Sequence, residues 1–210
     1  MIAPARGCFI TLEGGEGVGK STQARALAAA LRERGIEVLE TREPGGSPGA
    51  EAIRTLLLEG GKDRWGPRAE ALLFAAARSD HVEKTIFPAL ARGAWVLCDR
   101  FVDSSVAYQG ADGFGAGAVR ALHQAGSDGL MPDRTLLLSL PLEIAAQRED
   151  TRDAGRADRF GMRDADYRRT VEANFHALAL SEPERWRIVD ASGAPGQVTA
   201  RLLQALDDLL

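Results

Sequence analysis

The run Gly14-Gly15-Glu16-Gly17-Val18-Gly19-Lys20-Ser21 decides how the rest of this chain is read. It has the form G-x-x-x-x-G-K-S, and its flanks matter as much as its glycines. Before it stands Cys8-Phe9-Ile10-Thr11-Leu12, a short apolar, partly β-branched run that predicts a buried strand. After it, Thr22 to Arg34 is rich in Ala, Leu and Arg and predicts a helix that stops at Gly35. Strand, glycine loop and helix in this order make a polyphosphate cradle: backbone N–H groups face the phosphates, and the helix adds the positive end of its dipole. Lys20 would then reach the β- and γ-phosphates, and the Ser21 hydroxyl would ligate Mg²⁺.

Working outward, apolar β-rich runs recur at Phe9–Leu12, Ile36–Leu39, Trp95–Cys98, Thr135–Leu140 and Arg187–Val189. Helical patterns separate them, which is the rhythm of an α/β protein with a five-stranded parallel sheet and helices on both faces. No internal repeat, low-complexity tract or linker divides residues 1–210, so one domain is expected. A chain of 210 residues, 45% hydrophobic and 27% charged, is long enough for a well-filled core. Its net charge of -4 supplies no broad basic field for nucleic acid. Cys8 and Cys98 lie in apolar runs and read as buried free thiols, which suits a reducing compartment. No apolar run approaches the ~20 residues that span a bilayer, and no signal-peptide core precedes the loop, so a cytoplasmic protein without membrane partners is expected.

Ligands of open parallel sheets sit outside the carboxyl ends of the strands, and several polar groups fall there. The second strand leads into Thr41-Arg42-Glu43-Pro44-Gly45-Gly46. Arg42 and Glu43 are either site residues or a solvated charge pair. A short helix is expected from about Gly49 to Leu58, and a long one from Pro67 to about Leu90, ended or bent at Pro88. Phe74 and Arg78 are four apart and share a face. They read either as a seat for a planar base or as a core ring with an arginine passing it. The third strand ends in Asp99-Arg100-Phe101, followed by Asp103-Ser104-Ser105-Val106-Ala107-Tyr108-Gln109. Asp99 is placed to hold Mg²⁺ directly or through water, and Arg100 offers a fork for phosphate. After the fourth strand, Arg148, Arg152, Arg156, Arg159 and Arg163 recur through a tract with almost no apolar stripe. That tract, about 148–163, is either a solvated helix face laced with ion pairs or a lid whose arginines close over polyphosphate.

Glycine loops serve switches, motors, transporters and kinases. A guanine-reading N-K-x-D motif is absent. Separate cationic clusters at Lys20, at Arg42 with Arg100, and in the lid tract favour phosphoryl transfer, which is mostly positioning and charge stabilisation. The surplus of arginine over general bases points to an acceptor that is itself a phosphate, already ionised near pH 7. The competing readings are a nucleotide-gated binding protein and a kinase for another small molecule.

The whole chain resembles the thymidylate kinase family. The resemblance is carried by Leu97-Cys98-Asp99-Arg100-Phe101-Val102-Asp103-Ser104-Ser105-Val106-Ala107-Tyr108-Gln109, with Thr41-Arg42-Glu43-Pro44-Gly45-Gly46 and Phe74-Ala75-Ala76-Ala77-Arg78 in matching order. It implies a P-loop nucleoside-monophosphate-kinase fold, transfer from ATP to dTMP with Mg²⁺, and a homodimer. It implies that Phe74 stacks on thymine, that Arg78 bonds the base O4 and that Ser105 stands near N3. Arg100 with Arg42 would hold the dTMP phosphate, Glu16 would face the sugar 3′-hydroxyl, and Tyr108 would crowd the 2′ position. Ser104 and Gln109 are counted with this acceptor set, and Thr22 and Arg148 with the ATP set. Phe101 stands where relatives often carry Tyr or His. The lid matches least, apart from Asp158-Arg159. Lys20 and Arg100, with Arg152 or Arg156 from the lid centre, are expected to meet the charge of transfer.

Overall fold

A computed structural model describes residues 6–61, 63–153 and 164–210. The strands are β1 (Phe9–Glu13), β2 (Val38–Arg42), β3 (Trp95–Asp99), β4 (Arg134–Ser139) and β5 (Trp186–Asp190). They form one sheet in the order β2-β3-β1-β4-β5, and every adjacent pair is parallel. Parallel strands need crossovers, and the helices that supply them cover both faces. Alternation along β1 and β4 divides the core into two layers. Phe9 and Leu137 pack with Phe101, Ile86 and Phe175 on one side. Ile10, Leu12, Leu136 and Leu138 pack with Leu27, Leu31 and Leu202 on the other.

The helices are α1 (Lys20–Glu33), α2 (Pro48–Leu58), α3 (Pro67–His81), α4 (Phe87–Ala91), α5 (Val102–Tyr108), α6 (Ala116–Ser127), α7 (Leu142–Asp153), α8 (Ala165–Ser181) and α9 (Pro195–Gln204). Two expectations need correction. The second strand starts at Val38 and runs to Arg42, later than Ile36–Leu39. The end of α1 explains the shift. Gly35 takes φ 82, its N–H bonds Arg32 O, and Ile36 N–H bonds Leu31 O. That is a Schellman closure, so Ile36 still belongs to the helix end.

The long helix from Pro67 is really three pieces, with a π-helical turn at Val82–Ile86 between α3 and α4. Pro88 lacks an N–H and its ring crowds the carbonyl four residues back, so the ladder opens and Phe87 N–H bonds Val82 O instead. Both cysteines are free, Cys98 buried but Cys8 only half-buried. Among the described residues no helix is long and apolar enough to cross a membrane.

The fold brings the carboxyl ends of the strands to one edge. The register sets Arg42 beside Asp99 and Leu12 beside Asp99, so the ends of β1, β2 and β3 open on the same space.

Candidate active site

The glycine loop joins β1 to α1. Its tightest point is Gly17, where φ is 74 and a Cβ would stand 2.0 Å from Ala145 O of α7. No side chain fits there, so this glycine is required by the contact with α7 as well as by its backbone. Lys20 is buried and folds back on the loop, donating to Gly14 O at 3.1 Å and to Gly15 O at 2.5 Å. Burial, and then the neighbouring Arg100 guanidinium, push its ammonium down to about 8. Ser21 Oγ donates to Asp99 Oδ2 at 2.6 Å. A hydroxyl and a carboxylate held together at the cavity mouth are hard oxygen donors of the kind Mg²⁺ takes along with water and phosphate oxygens. The pair fits that ion. Among the described residues, no cluster of three or more His, Cys, Asp or Glu side chains offers a fuller protein cage.

Arg100 follows the end of β3 with φ 71, the left-handed region that a non-glycine residue seldom enters. Its Nη1 donates to Gly14 O at 3.1 Å and Ser104 Oγ at 2.9 Å. Its Nη2 donates to Glu16 Oε1 at 2.5 Å and Tyr108 Oη at 3.2 Å. The guanidinium carbon also lies 5.1 Å from the centre of the Tyr108 ring. Burial lowers the affinity of Arg100 for its proton, but Glu16 and the other acidic neighbours outweigh it and the net shift is upward. Burial pushes the Tyr108 hydroxyl well above its ordinary range, so it stays a neutral donor. Beneath them, Glu13 is fully buried, and burial followed by the Asp103 carboxylate pushes it up to about 8.

A second network lies between β2 and α3. Arg78 Nε donates to Glu43 Oε2 at 2.8 Å, and its Nη2 donates to Ser105 Oγ at 2.7 Å. His81 Nδ1 is 3.2 Å from the other Glu43 oxygen, and its Nε2 is 2.7 Å from Thr41 Oγ1. Glu43 is only 6% exposed, so it is not half of a solvated pair. Arg42 points outward instead and pairs with Glu51 of α2 at 3.2 Å. Burial pushes the Glu43 carboxyl upward, yet Arg78 and His81 prevail and hold it below the usual carboxylate value.

Glu16, Lys20, Ser21, Arg42, Glu43, Arg78, Asp99, Arg100 and Tyr108 border one cavity of about 740 Å³, with Glu13 and His81 buried behind its wall. Its lining includes Phe74 and Arg78 of α3, Ser105 and Gln109 of α5 and its end, Glu16 and Lys20 from the glycine loop, and Arg42, Asp99 and Arg100 from the ends of β2 and β3. Arg148 of α7 lines it too, with Ala191, Gly193, Pro195 and Val198.

The family model for thymidylate kinase matches residues 12–202. A thymidylate kinase of Rhizorhabdus wittichii is 62% identical over 205 residues, covering 97% of this chain and 99% of that protein. One from Caulobacter vibrioides is 50% identical over 198 residues, with 94% of each covered. The crystal structure of thymidylate kinase from Ehrlichia chaffeensis superposes with a TM-score of 0.79 at 28% identity, covering 96% of this chain and all of that one. The chain belongs to the thymidylate kinase family. The five-stranded parallel sheet with its glycine loop is accordingly the P-loop nucleoside-monophosphate-kinase fold.

Set against this thymidylate kinase site, the residues expected from sequence are placed as follows. Glu16, Gly17, Val18, Gly19, Lys20, Ser21 and Thr22 line the main cavity. Gly14 and Gly15 line a smaller one of about 50 Å³ on the other side of the loop. Arg42, Phe74, Arg78, Asp99, Arg100, Ser104, Ser105, Tyr108, Gln109 and Arg148 all border the main cavity. Arg156 and the Asp158-Arg159 pair lie outside the described residues, as does the side chain of Arg152.

Sequence reading missed Arg54 and Leu58 of α2, the segment after β5, and the supporting carboxyl group of Glu13, and it left Glu43 open between site residue and solvated pair. Arg54 lines the cavity while its Nη1 donates to Pro44 O at 2.6 Å. Its position on a helix that follows the β2 loop was a usable signal. Ala191 and Gly193 carried none except their place after a strand end, because they contribute backbone and apolar surface rather than a functional group.

Proposed function

We propose that this chain transfers the γ-phosphoryl group of ATP to dTMP, giving ADP and dTDP. The observation that carries the reading is the single cavity, whose lining joins Lys20 of the glycine loop and Arg100 after β3 to the Phe74 and Arg78 pair of α3 on the β2 side of the sheet and to Arg148 of α7 on the β4 side. ATP lies along the loop with its base toward Arg148 and Ala191, and dTMP enters from the Phe74 end. Phe74 stacks on thymine. Arg78 has five N–H donors, of which Glu43 and Ser105 take two, leaving others for the base O4. Ser105 stands at the N3 edge, Gln109 and Ser104 complete the acceptor contacts, and Tyr108 and Glu16 border the sugar.

The reaction needs no general base, because the attacking oxygen belongs to a phosphate whose second pKa is about 6. Arg100 and Arg42 hold that phosphate while Lys20 exchanges its loop carbonyls for the donor's phosphate oxygens. Ser21 and Asp99 would hold Mg²⁺, which would supply charge neutralisation at the donor phosphates. An arginine of the 148–163 lid, Arg152 or Arg156, meets the transferring group. The whole chain acts as one kinase domain, as a cytoplasmic homodimer, without nucleic-acid or membrane partners.

The deciding experiment is coupled ADP release with dTMP, dUMP, dCMP, AMP and shikimate in parallel. Turnover with dTMP well above the others is expected. Another preferred acceptor would make this a different small-molecule kinase, and nucleotide binding with no turnover would make it a gated binding protein.

A further inference from the structure

We propose that Glu13, the last residue of β1, is a positioning residue that fixes Arg100 in the geometry needed to grip the acceptor phosphate. The inference rests on the proposed function, in which Arg100 holds that phosphate.

Glu13 is fully buried, where a carboxyl group is costly unless its oxygens are bonded. Both are. Oε1 accepts from Phe101 N–H at 2.8 Å, and Oε2 accepts from Ser104 Oγ at 2.5 Å. Ser104 Oγ in turn accepts from Arg100 Nη1 at 2.9 Å. Glu13 thus reaches Arg100 twice: through one hydroxyl to the guanidinium, and through the peptide that follows Arg100 to its backbone.

The backbone hold matters because Arg100 has φ 71. A non-glycine residue stays in that region only when its surroundings over-determine it. Here β1 supplies both adjacent clamps, since Arg100 N–H bonds Leu12 O at 3.0 Å while Glu13 takes the next N–H. Cys98 Sγ adds a third at Arg100 O, 3.0 Å away. Asp103, whose carboxylate also bears on Glu13, is itself held by Arg185 at 2.6 and 3.0 Å. Gly14, directly after Glu13, also accepts from Arg100 Nη1 at 3.1 Å. The end of β1 is therefore a mould for Arg100, and the glycine loop begins where that mould ends.

The test is Glu13→Asp, which keeps a carboxyl group but withdraws it by one methylene from Phe101 and Ser104. With both bonds weakened, the KM for dTMP should rise about tenfold or more. The Kd for ADP, measured by calorimetry, should stay within about twofold, because Lys20 and the loop are not held through this relay. Parallel losses in dTMP KM and ADP Kd would mark Glu13 as a general structural support and overturn the inference. So would a folded variant with unchanged dTMP KM. If Glu13→Asp does not fold, Glu13→Gln keeps the length but replaces one of the two acceptor oxygens with a donor, so one of the two accepted bonds is lost. An unchanged dTMP KM there overturns the inference equally. Wild-type protein that fails to phosphorylate dTMP would overturn the proposed function as well, which separates the two failures.

Discussion

Arg78 is bonded to the buried carboxylate of Glu43 and is proposed to bond the substrate base as well. Arg78→Ala should raise the KM for dTMP about tenfold or more while leaving that for ATP nearly unchanged, since a polar base edge loses a charged donor. It should also cost about 3–5 kcal/mol of stability at pH 7, because Glu43 keeps its burial and loses its main cation. The pH dependence isolates the Glu43 bond. In the native protein the Glu43 carboxyl is held below its ordinary 4.5. Its stabilising contribution is therefore present above that value and fades as pH falls through the lowered one. Without Arg78, burial dominates and the carboxyl moves up, so the variant's deficit should be largest at neutral pH and shrink in acid as Glu43 takes a proton. Urea titrations across that range check it, and an equal deficit at every pH would exonerate Glu43. Tyr108→Ala should narrow the ratio of kcat/KM values between dTMP and its ribose counterpart, and an unchanged ratio would remove Tyr108 from sugar selection. The i, i+4 spacing of Phe74 and Arg78 left a core pair and a base seat both open in the sequence, and only the family resemblance pointed to the second; the fold sets both on the cavity wall. The fates of Arg42 and Glu43 were not legible either. Successive side chains at a strand end point to opposite sides, and only the fold decides that Arg42 goes out to Glu51 while Glu43 goes in to Arg78.

At the scale of elements, the glycine loop is coupled to α7, the helix that carries Arg148. The coupling point is Gly17, whose absent Cβ lets the loop rest against the Ala145 carbonyl. Gly17→Ala should therefore do more than add strain at a positive φ. It should push the loop off α7, lower the melting temperature, and raise the KM for ATP more than that for dTMP. A KM rise confined to dTMP would show that the loop can move without disturbing the donor end. Loop, flanking strand and flanking helix were all readable because their chemistry is local: a glycine pattern, a β-branched run, an alanine-rich helix. Element ends were less so. The β2 boundary depended on a Schellman closure at Gly35. The break before Pro88 depended on how a helix relieves a proline, by a π-helical turn placed upstream of it.

Across the whole molecule, the site is assembled from segments far apart in the chain, and the sheet order is what assembles them. Placing β1 between β3 and β4 brings the glycine loop between the acceptor residues after β3 and α7 after β4, so that ATP and dTMP would approach each other head-on. This arrangement leaves one charge to be met. Arg42, Arg54, Arg78 and Arg100 border the cavity but are engaged with Glu51, Pro44 O, Glu43 and Glu16 respectively. Lys20, now bonded to Gly14 O and Gly15 O, is proposed for the donor phosphates. A loose phosphoryl-transfer transition state still calls for a donor on the moving group, where one arginine can be worth about 10³–10⁵ in kcat. Arg148 borders the donor end, and Arg152 stands one helical turn beyond it on α7. Arg156 follows four residues later in the sequence. Alanine at the responsible one of these two should lower kcat by about 10²-fold or more with little change in either KM, since the contact forms mainly as charge moves. Single and double alanine variants, assayed at saturating ATP and dTMP, distinguish them. A double variant with kcat intact would mean that the transferring phosphoryl is met from within the cavity, by Arg100 or Lys20 alone.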